Sequence, residues 1–471
     1  MGIRLKNIDR DTPMIMPPDM RDWLPDEHMV NFIIEAVETV GLQGFRLNHR
    51  GSGSRQYPPS MMLSLLIYCY ATGRMSSRQI EEASYYDLAV RYICGGSHHP
   101  DHDTICKFRV NNRELFSECF VKVLALAHEL GGFKKIGGIS VDGTKIQANA
   151  SKHSAVSYKR AGEMIEQLEL EVGELMKKAE DADSKALDDG LSIPEEIRRR
   201  TDRKKKLEHA RKIIEERFEE KRKEKEEEYK ARLKKREEQR KEGRKPRGRP
   251  PNPPKSTPAD KDQYNFTDPE SRIMKAGNGS HVDQAYNAQA AVDIEGSYLI
   301  LGKDVTTQVN DKQQLPGVVA AVEPEVRKVS EVLVDNGYFS ESAVEKVESN
   351  GGPVVYAAIG KQSHHKTVKE LENREDPPSP PDSAGMKEKM LHRITTKKGK
   401  EKYKLRKQTV EPVFGIIKEV MGFRRFHLRG LEKVKLEWDL VTLSYNMKRL
   451  YNIVGGRIAV FGKLQNQAKI A

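Results

Sequence analysis

The chain has 471 residues, of which 37% are hydrophobic and 32% charged, and its formal net charge is +12. This length predicts two or three domains, and the composition predicts folded domains together with at least one long charged segment. Four cysteines are too few for a disulfide scaffold, and the sequence shows neither a signal peptide nor the roughly 20 consecutive apolar residues that span a bilayer. We therefore expect a cytoplasmic protein, whose positive charge indicates either a polyanionic partner such as nucleic acid or simply a basic surface.

Residues 1–130 are predicted to form an all-helical domain. Prolines precede the apolar runs 28–40 and 61–71, where their fixed φ angle suits the first turn of a helix. Several short helices that expose basic residues, such as Lys107 and Arg109, are typical of DNA-binding domains. A plain helical bundle is the alternative.

From residue 131 the pattern predicts a mixed α/β sheet flanked by helices. The order is strand, long insert, two strands, helix, strand, helix, strand and a final helix from about Tyr403. The predicted strands are 136–142, 286–294, 298–307, 329–335 and 353–359. A mobile loop is expected over the polar tract 365–388. The predicted domains are 1–130 (helical), 131–150 with 262–455 (sheet), 151–261 (insert) and 456–471 (C-terminal tail).

The insert is predicted to be a charged helical hairpin followed by a basic linker. Its first half repeats apolar residues at steps of four and three between Ala161 and Ala179, which indicates a coiled-coil seam. A turn is expected around Gly190, and the second helix has a weaker apolar stripe that ends at Phe218. Beyond Phe218 the helix is almost wholly charged, so it either projects into solvent or lies against an anionic partner.

Two aspartates, Asp142 and Asp335, each end a predicted apolar strand and are each followed by glycine within two residues. Side chains at such positions can meet on one rim of a sheet. Converging carboxylates are what phosphoryl transfer on DNA requires, because two divalent ions about 4 Å apart must be held, and Mg²⁺ prefers carboxylate oxygens. For either aspartate alone, a turn residue is the simpler interpretation.

Glu411 is the third candidate carboxylate, and it lies on a predicted helix with two separate faces. One face is apolar: Val410, Val413, Phe414, Ile417 and Met421. The other comprises Lys407, Glu411, Gly415, Lys418 and Gly422. A glutamate between lysines is common in surface ion pairs, but interior glycines cost a helix about 1 kcal/mol each, and a DNA backbone that approaches closely would explain them.

Seven sequence blocks resemble insertion-sequence transposases of the DDE type from bacteria. They are VDGTKIQANAS (141–151), VDNGYFS (334–340), VEPVFGIIKEVMGFRRFHLRG (410–430), DPESRIMK (268–275), YNAQAAVD (286–293), MPPDMRDWLPDEH (16–28) and PDHDTICKFR (100–109). The similarity covers most of the chain except the charged insert and the tract 365–388, and the long block 410–430 is the most specific.

The resemblance implies a ribonuclease H-like catalytic core in which Asp142, Asp335 and Glu411 bind two Mg²⁺ ions, for which Mn²⁺ substitutes. It also implies double-stranded DNA as the partner, a homodimer when element ends are paired, and a nucleoid-associated location. Related elements carry the pattern Tyr-x2-Arg-x3-Glu-x6-Lys. Here Glu411 and Lys418 fit that pattern, whereas Tyr403 and Arg406 lie one residue too far from Glu411, so Lys407 takes the arginine position. Lys407 and Lys418 are therefore expected to contact DNA phosphates.

Three further groups of residues are candidate binding sites. Arg247 and Arg249 belong to a motif, Arg-Gly-Arg, that resembles an AT-hook for the A·T minor groove, or else to an unspecific basic linker. Arginines interleave with aromatic residues in the block 422–430, which suits DNA contact or, alternatively, a capped helix end: Arg424, Arg425 and Arg429. A zinc site or, preferably, buried thiols are expected from the spacing of Cys94, His98, His99, His102 and Cys106.

The sequence thus supports a DNA transposase that cleaves element ends and transfers strands through a DDE triad. The first alternative is a non-catalytic DNA-binding or architectural protein, such as a decayed transposase. The second is a nuclease that cuts without joining.

Overall fold

The computed structural model describes residues 19–40, 56–184, 193–241, 250–275, 279, 281–360, 376–381 and 384–456. The chain is a mixed α/β protein, about 58% helical, with a mixed sheet flanked by helices. It divides into two compact units: residues 1–146 with 287–471 form the first, and residues 147–286 form the second. No helix of the described ranges has the length and hydrophobicity needed to cross a membrane.

The first unit begins with short helices whose starts are set by side-chain caps. Ser76 forms a capping box with Gln79, and Asp101 accepts a hydrogen bond from the backbone of Thr104. The helices are α1 (Met29–Val40), α2 (Pro59–Ala71), α3 (Ser77–Tyr86), α4 (Leu88–Ile93), α5 (His102–Asn111) and α6 (Arg113–Glu129). For the described residues of this region, 19–40 and 56–129, the helical prediction is confirmed.

The sheet joins antiparallel and parallel strands. Its strands are β1 (Ile136–Gln147), β4 (Arg272–Lys275), β5 (Val282–Asp293), β6 (Ile300–Thr306), β7 (Lys328–Val334) and β8 (Val354–Ala357). The order is β4-β5-β1-β7-β8, and β6 also pairs with β5. β1, β7 and β8 are parallel, whereas β4 and β6 are antiparallel to β5. Two short strands, β2 (Ala155–Ser157) and β3 (Gln263–Asn265), pair separately.

Helices follow the strands as α9 (Leu315–Ala320), α10 (Glu341–Glu348), α11 (Met386–Thr395), α12 (Lys397–Gly415) and α13 (Leu431–Val454). The prediction missed α11, since it extended a loop to residue 388, and it started α12 six residues late. α13 packs against α2, α6 and β6. Its predicted apolar stripe is confirmed as core: Val434, Trp438, Val441 and Tyr445 are buried.

The second unit contains two long helices, α7 (Tyr158–Ser184) and α8 (Ile193–Lys241). They run antiparallel: Glu171 pairs with Arg200 at 2.9 Å, while the Tyr158 hydroxyl donates to Glu215 at 2.8 Å. Their shared core contains Ala161, Leu168, Leu207, Ala210 and Ile214. The turn expected near Gly190 lies outside the described residues.

A buried ion pair fixes the start of β1. The Arg327 guanidinium and the Asp293 carboxylate are 2.8 Å apart, and both side chains are completely buried. A Cβ atom on Gly137 would lie 1.8 Å from Nη2 of Arg327. Only glycine therefore leaves room for this guanidinium beside β1.

Gly137→Ala should lower the free energy of unfolding by about 3 kcal/mol, because the new methyl group would force Arg327 away from Asp293. Gly317→Ala is the matched control: its Cβ would meet nothing within 4 Å in α9, so stability should stay equal or rise by up to about 1 kcal/mol. Urea denaturation of both variants measures the difference. If both variants were equally stable, Arg327 and its neighbours would accommodate the methyl group without loss of unfolding free energy.

Candidate active site

The pairing of β1 with β7 brings Asp142 and Asp335 to the same end of the sheet. The strands are parallel, with Ser140 opposite Leu333, so the two aspartates follow at equivalent positions. β1 continues to Gln147 rather than ending at Asp142, so the expectation that Asp142 ends its strand was wrong. Asp335 does follow directly after β7.

The glycines that follow these aspartates hold the carboxylates. The backbone N–H of Gly143 donates to Asp142 at 2.8 Å, and that of Gly337 donates to Asp335 at 2.8 Å. A Cβ atom on Gly143 would lie 2.5 Å from Nε2 of Gln289. Glycine therefore follows these aspartates for two reasons: its backbone N–H orients the carboxylate, and at Gly143 a larger residue would collide with Gln289.

Arg406 joins all three predicted catalytic acids. Its Nη2 lies 3.1 Å from Oδ2 of Asp142 and 3.9 Å from Oδ2 of Asp335, and its Nη1 lies 3.6 Å from Oε1 of Glu411. The side chain of Arg406 is only 9% exposed, against 52% for Glu411. The structure thus brings Asp142, Asp335 and Glu411 around one buried guanidinium, a position for Arg406 that the displaced sequence motif did not reveal.

The environment of Asp142 disfavours its charge. Burial raises the pKa of Asp142 to about 6, opposed by the charge of Arg406 and by the Gly143 hydrogen bond, while the charges of Asp335 and Asp311 raise it further. Burial is the largest cause. Additional positive charge nearby would therefore stabilise the ionised form of Asp142.

Asp311 is a fourth acid beside the site, and the sequence analysis did not identify it. Its Oδ1 accepts hydrogen bonds from Asn287 at 2.6 Å and Gln289 at 2.9 Å, and Nζ of Lys145 lies 3.8 Å away. Gln289 also accepts a hydrogen bond from the buried Tyr338 hydroxyl. The available signal was two buried polar residues at alternate positions of the apolar strand β5.

The donor atoms suit a hard divalent cation such as Mg²⁺, which carboxylate oxygens bind well. Four carboxylates, those of Asp142, Asp335, Glu411 and Asp311, face the cations Arg406 and Lys145, so negative charge is in excess. In the described ranges no three acidic, His or Cys side chains are arranged to hold a metal ion. Here the Arg406 guanidinium lies among the acids, and it supplies the positive charge.

The two predicted phosphate contacts lie on and just after α12, the helix that carries Glu411. Lys407 is exposed on α12 beside the buried Arg406. Lys418 is partly buried and donates to the carbonyl oxygen of Lys145 at 3.3 Å. Gly422 follows the last helical turn with a φ of 72°, a conformation that favours glycine, so the backbone explains why glycine stands there. A Cβ atom on Gly415, by contrast, would meet nothing within 4 Å. Of these two glycines, only Gly415 remains a candidate for letting a DNA backbone approach the helix closely.

The block after α12 separates its aromatic and basic residues. Phe423 and Phe426 are completely buried, whereas the arginines of this block are exposed: Arg424, Arg425 and Arg429. Arg424 forms an ion pair with Glu419. The aromatics therefore anchor the segment in the core, and the arginines face outward.

The remaining candidates for DNA contact fall in different places. Lys107 is exposed on α5. Arg109 is 3% exposed and donates to the Tyr70 hydroxyl at 2.8 Å and the Met75 carbonyl at 3.2 Å. The expectation that Arg109 contacts DNA is therefore corrected, because its guanidinium holds the helical core together. Arg247 and Arg249 lie outside the described residues.

Among the described residues, no group of three His, Cys, Asp or Glu side chains that could hold a metal ion is found, and this includes the cysteines and histidines between 94 and 106. His102 contacts Glu81 at 2.7 Å, and His99 stacks on Tyr85 with the ring centroids 4.0 Å apart. Cys94 is buried, and burial raises the pKa of its thiol to about 11. Cys94 is thus the buried thiol that was expected, whereas Cys106 is only partly buried.

Two family models match the chain. One, described as a transposase DDE domain, matches residues 379–451, which include Glu411. The other, described as a transposase domain, matches residues 18–111. Neither a curated protein nor a solved structure matches the chain. The two matches confirm the resemblance to insertion-sequence transposases of the DDE type, and they support a DNA transposase.

Arg406→Met should lower the free energy of unfolding by about 2 kcal/mol in the presence of a chelator, because buried Asp142 would lose its counter-charge. Lys407→Met, which changes the exposed neighbour, should alter stability by less than about 0.5 kcal/mol. Urea denaturation at neutral pH compares the two variants. If the two variants lost the same unfolding free energy, the Arg406 guanidinium would not be stabilising the three carboxylates.

Proposed function

We propose that the protein is an insertion-sequence transposase that cleaves DNA at element ends and transfers strands through Asp142, Asp335 and Glu411. The observation that carries this proposal is the convergence of the three acids on Arg406. The acids come from separate elements, β1, the end of β7, and α12. Three carboxylates that meet from separate elements supply the hard oxygen donors that divalent ions prefer, and Arg406 supplies here the positive charge that such ions would bring.

We further propose that the sheet is ribonuclease H-like. Three consecutive strands in space, β6, β5 and β1, are followed by the parallel strands β7 and β8. Backbone hydrogen bonds from Ala148 to Gln284 and from Ile294 to Gly138 indicate that β1 and β5 are antiparallel. This topology supports the proposal, because it places two acids on adjacent parallel strands.

The chain's own residues would bind and orient the reacting phosphate. Asp142, Asp335 and Glu411 would hold Mg²⁺, which when bound stabilises charge on the attacking and leaving oxygens. Lys407 on α12 and Lys418 just after it would contact neighbouring phosphates. Asp311 would position Lys145 near this end of the sheet. Pairing of two element ends would require a homodimer on double-stranded DNA.

Asp142→Asn should abolish nicking of DNA that carries the element's terminal repeats in the presence of Mg²⁺ or Mn²⁺. Loss of metal-derived charge stabilisation worth several kcal/mol corresponds to about a thousandfold lower rate. Asp335→Asn and Glu411→Gln should behave alike. Glu401→Gln, an exposed acid on the same helix as Glu411, is the control and should retain the wild-type rate.

The products distinguish the alternatives. Nicks followed by joined strands support the transposase. Nicks without joined products would indicate a nuclease, and stable DNA binding without any nicking would indicate a non-catalytic protein. Nicking that persists in all three acid variants would remove this site from the reaction.

Mn²⁺ should raise the thermal midpoint Tm of the wild-type chain in a concentration-dependent manner, because a ligand that binds only the native state stabilises it. Asp142→Asn should show a much smaller rise, since the most buried carboxylate would be gone. Differential scanning fluorimetry in the absence of DNA measures this without reference to activity. An unchanged rise in the variant would place the bound ion elsewhere.

A further inference from the structure

Gln289 on β5 is completely buried, and both ends of its side-chain amide are hydrogen-bonded. Its Nε2 donates to Oδ1 of Asp311 at 2.9 Å, and its Oε1 accepts from the hydroxyl of Tyr338. Its backbone carbonyl oxygen accepts from the indole nitrogen of Trp438 at 3.1 Å. A buried amide held in this way is fixed in place, because any shift would leave polar groups without partners in a medium of low dielectric.

Asp311 sets the orientation of this amide. A carboxylate accepts hydrogen bonds but donates none, so the NH2 group of Gln289 must face Asp311 and its carbonyl oxygen must face Tyr338. Asn287, two residues earlier on β5, donates to the same oxygen of Asp311 at 2.6 Å. Burial, and next the charge of Asp311, raise the pKa of the Tyr338 hydroxyl well above its usual value. The hydroxyl therefore remains a donor to Gln289.

Tyr338 connects the amide to Asp335. It is the last residue of the short helical turn Asn336–Tyr338, which the side chain of Asp335 caps. The backbone N–H of Tyr338 donates to the carbonyl oxygen of Asp335 at 3.3 Å, and that of Gly337 donates to the carboxylate at 2.8 Å. Because the side chain of Tyr338 is completely buried, a hydrogen bond that fixes its hydroxyl also fixes the turn beside Asp335.

The same amide packs against the backbone next to Asp142. A Cβ atom on Gly143 would lie 2.5 Å from Nε2 of Gln289, so no side chain separates this glycine from the amide. The N–H of Gly143 donates to Oδ1 of Asp142 at 2.8 Å. One side chain thus contacts the segments that hold both aspartates, although these belong to different strands, β1 and the end of β7.

The spacing of the two aspartates matters because one positive charge has to contact both. Here Nη2 of Arg406 lies 3.1 Å from an oxygen of Asp142 and 3.9 Å from an oxygen of Asp335. Mg²⁺ is more demanding, since it needs near-ideal octahedral geometry with oxygens about 2.1 Å away, whereas Ca²⁺ accepts a flexible arrangement of oxygens. A shift of either carboxylate should therefore weaken Mg²⁺ binding more than Ca²⁺ binding.

We propose that Gln289 is a positioning residue that sets the spacing of the Asp142 and Asp335 carboxylates for a divalent ion. It acts through its neighbours, Tyr338 on one side and Gly143 on the other. The inference rests on the proposed function, because it takes the acids of the site as ligands of that ion. Residues that orient the ligands of an ion typically contribute about 10- to 100-fold to metal affinity.

The test compares two tyrosine variants that each remove one hydroxyl group from a buried side chain. Tyr338→Phe breaks the hydrogen bond to Gln289. Tyr445→Phe, the matched control on α13, breaks a hydrogen bond to the carbonyl oxygen of Tyr298 at 3.0 Å. Electron paramagnetic resonance of free Mn²⁺ gives the affinity for this ion in the absence of DNA, and competition with Mg²⁺ and Ca²⁺ gives theirs. Urea denaturation in a chelator compares the stabilities of the variants.

Tyr338→Phe should lower the Mg²⁺ affinity about tenfold and the Ca²⁺ affinity by less than about threefold, while Tyr445→Phe should leave both at their wild-type values. Gln289→Met should lower the Mg²⁺ affinity at least as much, because it removes the hydrogen bond to Tyr338 and replaces the amide beside Gly143. Gln284→Met, which changes another buried glutamine of β5, is its control and should bind Mg²⁺ as the wild type does.

Wild-type Mg²⁺ affinity in Tyr338→Phe would overturn the inference, and so would equal losses in the two tyrosine variants. Equal losses of Mg²⁺ and Ca²⁺ affinity would also overturn it, since the network would then keep the site folded without setting its spacing. A wild-type chain that binds none of the three ions would remove the proposed function and this inference with it. If the wild type binds Mg²⁺ and Tyr338→Phe binds it equally well, only the inference fails.

Discussion

The contact of one buried guanidinium with three carboxylates organises the candidate active site. Arg406 lies within 4 Å of an oxygen from each of Asp142, Asp335 and Glu411. Without that charge, a carboxylate as buried as Asp142 would be costly to keep ionised. The same contact ties α12 to β1 and to the end of β7. The arrangement of these three acids therefore depends on one ionic cluster.

Glycine and polar residues around that cluster have definite roles. Gly143 and Gly337 offer their backbone N–H groups to the two aspartates. Asn287 and Gln289 extend polar side chains from a buried strand to Asp311. The indole nitrogen of Trp438 on α13 donates to the carbonyl of Gln289 at 3.1 Å. The C-terminal helix thus supports the strand from which Asp311 is held.

The two units of the chain use charge in different ways. In the first, opposite charges are buried together, as in the pair Arg327–Asp293 and the cluster around Arg406. In the second, α8 carries ion pairs that are partly exposed to solvent, such as those of Arg222 with Glu219 and Glu226. Buried pairs fix geometry, whereas pairs open to solvent contribute little to stability and are screened by salt.

The sequence alone determined the helical N-terminal region, the alternating strands and helices, and the three candidate acids, because helix caps, apolar runs and motif spacing are local signals. Three features required the tertiary structure. Arg406 stands one residue away from its expected motif position, Asp311 has no motif around it, and Arg109 looked exposed although it is buried against Tyr70. Each depends on contacts between residues far apart in the chain, and no local pattern encodes which distant side chains will meet.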